Sequence, residues 1–211
     1  MKYSNCDDSS DYFADTSKIR DGIIYINDYL FNVPYKSDIF AANFLASYSI
    51  ASSLGVSNKR IQDALSGFEY PKGRGEVMEI DGDTIIDDTY NANLSSMKAG
   101  IKEIELIRGE KSITLILGDM LDLGESSKSH HIELGEFISE LNFIDNVYGI
   151  GLMTPYIIKS ISNENIKCNH FIDTSSLIKR LNKDKNNSMI FYFKGSRGME
   201  MEKIINKVFN K

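Results

Sequence analysis

The sequence predicts an α/β fold with a doubly wound, mainly parallel sheet, and three observations lead to it. From about residue 73 onward, short β-branched runs alternate with amphipathic stretches of ten or more residues, which is the pattern of parallel strands joined by helical crossovers. Pro71, Gly73 and Gly75 fall close together and indicate a domain boundary. The length of 211 residues corresponds to about 1.4 domains at roughly 150 residues each. We therefore expect a partial domain over 1–72 and a full domain over 73–211.

The segment before the boundary contains a predicted hairpin and two predicted helices. Residues 1–20 are polar and punctuated by Asp and Ser, and two strand-like runs follow at 22–26 and 29–33, separated by Asn27-Asp28. Ser37-Asp38 predicts the start of a helix over 39–54 that ends at Gly55, and Ser57 predicts the start of a second helix over 58–66.

Six strands and five helices are predicted after the boundary. The strands are 77–80, 84–87, 112–117, 146–150, 168–172 and 188–193, and the helices are 95–107, 126–141, 154–161, 175–181 and 199–209. We expect right-handed crossovers with helices on both faces of the sheet. Ligands of such sheets bind at the carboxyl ends of the strands, so the polar residues directly after strands are the candidates for a site.

Composition and charge argue against several classes of protein. Hydrophobic residues make up 42% and charged residues 26%, as in an ordinary globular protein. The net charge of -6, without a dense Lys/Arg block, gives no electrostatic support for binding nucleic acid or a membrane surface. No run of about 18 apolar residues occurs and the first ten residues are polar, so we expect a cytoplasmic protein without membrane insertion or a signal peptide. Cys6 and Cys168 are expected to be reduced thiols, and three histidines are too few to suggest a structural zinc site.

Three polar clusters follow predicted strands. They are residues 87–93 (DDTYNAN), 118–120 (GDM) and 194–198 (KGSRG). A carboxylate at a strand end can accept ribose hydroxyls or bind Mg²⁺, and two cations with two glycines before a helix suit a bound anion. A structural role is equally open at this point, because Asp and Asn favour turns and helix caps and 194–198 also suits a tight turn with solvated charges. Arg74 has two similar alternatives, since it could reach a phosphate or pair with Glu76.

Other motifs argue against particular cofactors. Gly149-Ile150-Gly151, with Asp173 about twenty residues later, imitates a dinucleotide fingerprint. The third glycine position holds Thr154, however, so we do not expect NAD or FAD. The adjacent His130-His131 has no carboxylate at metalloprotease spacing, and no GxxxxGK(S/T) P-loop occurs in the sequence.

The clusters together resemble the Mur ligase family. The segments that carry the resemblance are residues 86–93 (IDDTYNAN), 117–124 (LGDMLDLG) and 194–198 (KGSRG), and their order and spacing match through most of 67–209, including Gly73-Arg74 and His131. They are most similar to the branch that adds D-alanyl-D-alanine to UDP-N-acetylmuramoyl-tripeptide. Residues 10–70 resemble the end of the family's central ATPase domain. The resemblance implies a Rossmann-like C-terminal domain over 73–211, preceded by a remnant of that central domain. The P-loop half and the UDP-sugar-binding domain would precede residue 1.

The resemblance also implies a reaction and roles for individual residues. ATP phosphorylates the terminal carboxylate of the UDP-linked peptide, and the amine of the dipeptide attacks the acyl phosphate, with Mg²⁺ and cations stabilising the phosphate charge. Nucleotide contacts are implied for Asn43 (adenine), Arg74 (phosphates) and Asp88, or in second place Asp87 (ribose hydroxyls). Substrate contacts are implied for Tyr90, Asn91, Asn93, Asp119, His131, Lys194, Ser196 and Arg197. No residue of this chain is implied as a metal ligand or as a certain catalytic residue.

The sequence departs from the family pattern at two places. Ile39 and Phe40 stand where the family usually has a polar His-Asn pair near the nucleotide, and Leu94 stands where Pro is common. Three hypotheses follow. The chain is part of a peptidoglycan ligase and inactive alone, or it is a non-catalytic binding or regulatory module derived from a Mur ligase, or it belongs to a Mur-family amide ligase with another substrate.

Overall fold

The chain divides into two compact units, each with its own sheet. The computed structural model describes residues 2–5, 7–69 and 71–210. The first unit is Met1–Glu69 and the second unit is Tyr70–Lys211, whereas the sequence pattern places the boundary between residues 72 and 73. Cys6 lies outside the described residues, and Cys168 is a free, half-buried thiol. In the part of the chain that is described, no helix is both long and apolar enough to cross a membrane.

Over residues 2–5 and 7–69, the first unit is a four-stranded sheet with two α-helices. Its elements are β1 (Tyr3–Ser4), β2 (Tyr12–Asp15), β3 (Ile23–Ile26), β4 (Tyr29–Asn32), α1 (Asp38–Ser53) and α2 (Asn58–Ser66). The predicted hairpin is confirmed as β3–β4, and both predicted helices are confirmed. Helix α1 begins where the Ser37 hydroxyl accepts the Phe40 N–H at 3.1 Å and ends before Gly55, whose φ is +80°. Strands β1 and β2 were not predicted.

The core of the first unit is largely aromatic. The ring centroid of Phe31, on β4, lies 5.2 Å from that of Phe44 and 5.4 Å from that of Tyr48, both on α1. The ring of Tyr12, on β2, lies 5.6 Å from that of Tyr48. Such ring pairs stabilise a core beyond their buried area, so α1 holds β2 and β4 together through one aromatic cluster.

In its described part, residues 71–210, the second unit is a six-stranded sheet with five α-helices. Its elements are β5 (Glu76–Ile80), β6 (Asp83–Asp87), α3 (Leu94–Ile107), β7 (Ser112–Gly118), α4 (Ser127–Ser139), β8 (Asn146–Ile150), α5 (Thr154–Ser160), β9 (Lys167–Phe171), α6 (Thr174–Asp184), β10 (Met189–Lys194) and α7 (Glu202–Phe209). The strand order is β5-β6-β10-β7-β8-β9. All neighbours run parallel except β5 and β6. The predicted mainly parallel α/β fold is therefore confirmed.

Helices cover both faces of this sheet. On one face α3, α4 and α5 bury side chains such as Ile101, Leu134 and Ile157, and on the other face α6 and α7 bury Leu181 and Ile205. Successive side chains of a strand point to opposite faces, and β10 is fully buried on both. This explains why its sequence, MIFYFK, is nearly all apolar and does not alternate.

Helix α3 begins directly after Asn93, the last residue of the polar cluster at 87–93. The Asn93 Oδ1 accepts the Ser96 N–H at 2.8 Å, and the Ser96 Oγ accepts the Asn93 N–H at 3.2 Å. This reciprocal arrangement is a capping box.

Replacing Asn93 with Ala should lower the free energy of unfolding by about 1 kcal/mol, because the capping bond is lost. Urea denaturation followed by circular dichroism measures this, since the chain has no tryptophan. Ser126→Ala is the matched control at the start of α4, where the serine side chain makes no capping bond, and should change stability by less than about 0.5 kcal/mol. Equal losses in the two variants would contradict the assignment.

Candidate functional site

The three polar clusters meet at one edge of the six-stranded sheet. They follow β6, β7 and β10, and β10 lies between the other two strands and parallel to both. The carboxyl ends of the three strands are therefore side by side, which is where ligands of open α/β sheets bind.

A buried ion pair joins the ends of β6 and β10. The Lys194 Nζ lies 2.6 Å from the Asp88 Oδ2, and the two side chains are 4% and 20% exposed. Lys194 also donates to the Asn91 carbonyl oxygen at 3.0 Å, and the Tyr192 hydroxyl donates to the same Asp88 Oδ2 at 2.9 Å. A buried charge is tolerated only when it is paired and hydrogen-bonded, and both conditions hold here.

Burial and the neighbouring charges shift the pKa values of Asp88 and Tyr192 in this network. Burial raises the pKa of Asp88, while Lys194 and the Tyr192 hydroxyl favour the carboxylate and oppose that rise. Burial and the nearby Asp88 carboxylate raise the pKa of Tyr192 well above its usual range. Tyr192 therefore keeps its proton near neutral pH and acts as a hydrogen-bond donor to Asp88.

Asp87, the other carboxylate of this cluster, belongs to a turn. Its Oδ1 accepts the Thr89 hydroxyl at 2.7 Å and the Thr89 N–H at 3.2 Å. Gly73 packs closely against this turn: its carbonyl oxygen accepts the Tyr90 N–H at 2.9 Å, and a Cβ added at Gly73 would lie 3.1 Å from the Tyr90 nitrogen. The turn role that the sequence left open for Asp87 is thus present.

Arg74 and Tyr90 form an exposed pair beside the network. The Arg74 Cζ lies 4.1 Å from the centroid of the Tyr90 ring, a cation–π contact, and Tyr90 is 44% exposed. Asn91 is also exposed, and its Oδ1 accepts the Ala92 N–H at 2.9 Å. A planar cationic group and two polar side chains therefore face solvent at this edge.

Asp119, at the end of β7, anchors the start of α5. Its carboxylate accepts the backbone N–H of Leu152 (2.8 Å), Met153 (2.9 Å) and Thr154 (3.0 Å), and the residue is buried. A carboxylate at a helix N-terminus satisfies amides that have no partner inside the helix. The φ of Gly151 is +131°, and a Cβ at this position would lie 2.4 to 2.6 Å from atoms of the Asp119 carboxylate. The glycine that imitates a dinucleotide motif is therefore needed to make room for Asp119.

His131 supports the same loop from α4. It is fully buried, its Nε2 accepts the Met120 N–H at 3.1 Å, and its Nδ1 lies 2.6 Å from the Ser127 carbonyl oxygen. An amide can only donate and a carbonyl can only accept, so these partners assign the neutral tautomer with the proton on Nδ1.

Ser196 ties the three clusters to one another. Its hydroxyl accepts the Leu121 N–H at 2.9 Å and donates to the Ala92 carbonyl oxygen at 3.4 Å, while its own N–H donates to the Asp119 carbonyl oxygen at 3.0 Å. The next residue, Arg197, is exposed and lies 3.1 Å from the Glu202 carboxylate. The turn at 194–198 is thus a tight strand-to-helix turn with one buried cation and one solvated cation.

The predicted site residues of the second unit lie at this one edge, and they form an exposed group and a buried group. The exposed ones are Arg74, Tyr90, Asn91, Asn93 and Arg197, and the buried ones are Asp87, Asp119, His131, Lys194 and Ser196, with Asp88 between the two groups. Asn43 lies on α1 of the first unit and is exposed. Tyr192 was missed, although it stands two residues before Lys194, on the same face of β10.

Comparison with known proteins agrees with the sequence resemblance. Residues 73–197 match the family model "Mur ligase, glutamate ligase domain". The UDP-N-acetylmuramoyl-tripeptide--D-alanyl-D-alanine ligase of Bacillus subtilis is 30% identical over 178 residues, which are 83% of this chain and 39% of that protein. A crystal structure of MurF from Acinetobacter baumannii is 26% identical with a TM-score of 0.83, covering all of this chain and 47% of that one.

A second solved structure shows the same fold. MurF ligase from Thermotoga maritima, in complex with ADP, is 24% identical with a TM-score of 0.75, covering 99% of this chain and 48% of that one. The chain spans less than half the length of each of these relatives. The match of the family model to more than half of the chain, together with the shared fold, shows that this chain belongs to the Mur ligase family.

Proposed function

We propose that this chain is the C-terminal part of an ATP-dependent amide ligase that adds D-alanyl-D-alanine to UDP-N-acetylmuramoyl-tripeptide in peptidoglycan synthesis. The observation that carries the proposal is that the three clusters with family-like sequences meet at one sheet edge, and that all of their residues except Gly198 lie within the match to the family model. The Bacillus subtilis relative bears the name of this activity, and the Thermotoga maritima structure holds ADP. We place the reaction in the cytoplasm, where ATP and nucleotide-linked precursors are found.

In this proposal the exposed side chains, together with Asp88 and Lys194, contact ligands, and the other buried side chains hold the loops. Arg74 meets the nucleotide phosphates, Asp88 rather than Asp87 accepts the ribose hydroxyls, and Asn43 contacts adenine. Asp88 is preferred because its side chain is 20% exposed, whereas Asp87 is buried in the Thr89 turn. Tyr90, Asn91, Asn93 and Arg197 line the face toward the dipeptide, and Asp119, His131 and Ser196 support that face through the backbone bonds described above.

Lys194 is the group best placed to stabilise developing charge. Its ammonium has three N–H donors, and two of them go to the Asp88 Oδ2 and the Asn91 carbonyl oxygen. The third is left for a ligand oxygen. In the proposed reaction, negative charge moves over the transferred phosphoryl group and then onto the carbonyl oxygen attacked by the amine. An ammonium held by fixed partners stabilises such charge without reorganising at the moment of reaction.

Among the described residues, no group of three or more His, Cys, Asp or Glu side chains is arranged to hold a metal ion, and the bonds of Asp88 go to Lys194 and Tyr192. We therefore assign no ligand of this chain to the Mg²⁺ expected for an ATP-dependent ligase.

Reconstitution tests the proposed function. We expect the chain alone to turn over no substrate, because its sequence contains no P-loop. When it is combined with a separately produced P-loop half of a related ligase, ATP, Mg²⁺, UDP-linked tripeptide and D-alanyl-D-alanine, mass spectrometry should detect the pentapeptide product. Turnover by the chain alone would contradict the requirement for a second half. Failure of the complete mixture, with a native relative active in parallel, would contradict the proposed activity.

Arg74→Met should lower the rate of product formation in this mixture by about tenfold or more, since a guanidinium–phosphate contact is lost. Arg108→Met is the matched control, because Arg108 also lies over an aromatic ring, that of Phe143, at 5.9 Å, but at the opposite end of α3 from the site. An equal loss of rate in both variants would contradict a phosphate contact by Arg74.

The non-catalytic alternative is favoured by one observation in the first unit. Phe40, where the family usually has a polar residue, is 4% exposed, and its ring packs 5.6 Å from that of Tyr35 and 5.8 Å from that of Phe68. A polar nucleotide contact is thus replaced by a core residue. Product formation in the reconstituted mixture would exclude a purely non-catalytic module, and replacing D-alanyl-D-alanine by other amino acids or dipeptides in the same assay tests the alternative of another substrate.

A further inference from the structure

We infer that Tyr192 is a positioning residue whose buried hydroxyl binds one oxygen of Asp88 and so leaves the other oxygen to accept a hydroxyl of the nucleotide ribose. This inference rests on the proposed function, which assigns Asp88 to the ribose. It adds a residue that touches no ligand itself and acts only through Asp88.

The first support is the place of Tyr192 on β10. Tyr192 and Lys194 are two residues apart, so their side chains lie on the same face of the strand, and Ile190, one step earlier on that face, is fully buried in the hydrophobic core. The Tyr192 residue is 1% exposed. The Tyr192 ring is thus packed within the hydrophobic core, and its hydroxyl donates to the Asp88 Oδ2 at 2.9 Å.

The second support is the unequal use of the two Asp88 oxygens. Lys194 and Tyr192 both donate to Oδ2, and within the described part of the chain no donor reaches Oδ1. The Asp88 side chain is 20% exposed, so it is not sealed from a ligand. Two donors that reach one oxygen from different side chains restrict rotation of the carboxylate more than a single flexible lysine does. Oδ1 is then presented to the ligand in one orientation.

The third support is the space that α3 leaves for the hydroxyl. A Cβ added at Gly100 would lie 2.2 Å from the Tyr192 hydroxyl oxygen and 3.2 Å from the Asp88 Oδ2. Gly100 does not have a positive φ, so the backbone conformation does not require glycine here. The glycine is explained by the hydroxyl that packs against it.

A second network in the same unit provides a matched control. The Tyr148 hydroxyl donates to the Asp184 Oδ2 at 2.7 Å, and the Arg180 Nε lies 2.9 Å from that same oxygen. A buried tyrosine and a cation therefore share one carboxylate oxygen, as at Asp88, but this network belongs to β8 and α6. Tyr148→Phe removes the corresponding hydrogen bond to a carboxylate away from the proposed site, together with the bond that the Arg180 Nε donates to the Tyr148 hydroxyl at 3.0 Å.

The experiment measures how strongly the chain prefers a nucleotide with ribose hydroxyls. The 211-residue chain is titrated with ATP and, separately, with 2′,3′-dideoxy-ATP, and backbone amide shifts of residues 88–91 report the two dissociation constants, which suits weak binding. A hydrogen bond to a charged group predicts a preference of about tenfold for ATP in the wild-type chain. We expect Tyr192→Phe to reduce the preference below about threefold and Tyr148→Phe to retain it, with similar losses of thermal stability in both. Asp88→Asn should abolish the preference.

The outcomes separate this inference from the proposed function. A wild-type preference that Tyr192→Phe retains would overturn the positioning role of Tyr192 and leave the ribose contact of Asp88 standing. Equal loss of preference in Tyr192→Phe and Tyr148→Phe would also overturn it, because general loosening would then explain the effect. A wild-type chain that binds ATP without any preference, or shows no shift with ATP, would contradict the proposed nucleotide contact itself.

Discussion

Replacing Asp119 with Ala should lower the free energy of unfolding by about 3–5 kcal/mol. The variant removes the shared acceptor of three backbone N–H groups at the start of α5. These amides lie at a helix N-terminus, where no carbonyl of the same helix can replace the carboxylate. Urea denaturation followed by circular dichroism measures the change. Glu136→Ala, which removes an exposed carboxylate on α4, is the control and should stay within about 0.5 kcal/mol of the wild type.

Gly151→Ala tests the same contact from the other side. The new methyl group would overlap the Asp119 carboxylate, so we expect a loss similar to that of Asp119→Ala. Gly124→Ala is a reference for a positive φ in open space, because its φ is +53° and no atom lies within 4 Å of its added Cβ, whereas the φ of Gly151, +131°, is less accessible to alanine. It should lose only about 1–2 kcal/mol. If Gly151→Ala and Gly124→Ala cost the same, the close contact with Asp119 is not what requires the glycine.

Replacing Gly100 with Ala should lower the free energy of unfolding by about 3 kcal/mol in the wild-type background and by about 1 kcal/mol or less when residue 192 is Phe. The added Cβ overlaps the Tyr192 hydroxyl oxygen at 2.2 Å, whereas its next neighbours lie at 3.2 Å. Removing the hydroxyl therefore removes most of the overlap. Alanine also favours a helix over glycine, which offsets part of what remains.

A double-variant cycle measures this coupling. Gly100→Ala, Tyr192→Phe and the combination are compared by urea denaturation, and the combination should be about 2 kcal/mol more stable than the two single losses together predict. Tyr148→Phe combined with Gly100→Ala is the control pair and should be additive. Additive losses for the Gly100–Tyr192 pair would contradict the close packing of α3 on the hydroxyl.

Most elements of the fold could be predicted because their signals are local. Ser37 and Gly55 mark the two ends of α1, and the alternation of apolar runs after residue 73 gives the strands and helices of the second unit. The antiparallel direction of β5 was also within reach of the sequence. Asp81-Gly82, with φ of +51° and +86°, is the two-residue turn typical of hairpins, and it stands between two predicted strands. Strands β1 and β2 were missed because they are only two and four residues long in a segment rich in turn-forming residues.

The candidate site was predictable in position but not in the roles of its residues. The rule that ligands bind after parallel strands located the polar clusters, yet nothing in the sequence shows which side chains are buried. Asp119 and His131 point inward because amides of the loop after β8 and of Met120 happen to lie within reach. The Asp119 contacts depend on the strand order, which places β8 beside β7, and the Asp88–Lys194 pair depends on β10 lying next to β6. Local patterns do not contain that order.

The central place of β10 has a consequence for synthesis of the protein. Both neighbours of β10 in the sheet, β6 and β7, precede it by about seventy residues or more along the chain. In the sheet, β6 and β7 are separated by β10 and each pairs with it. When residues 71–188 have left the ribosome, β10 has not, so the sheet still lacks the strand between β6 and β7. Contacts between distant segments of sequence form slowly, and strand edges left unpaired are prone to pair with other chains. The polar edge that carries Asp88 and Lys194 is therefore completed only after β10 has emerged, and until then the edges of β6 and β7 that face β10 are open to pairing with other chains.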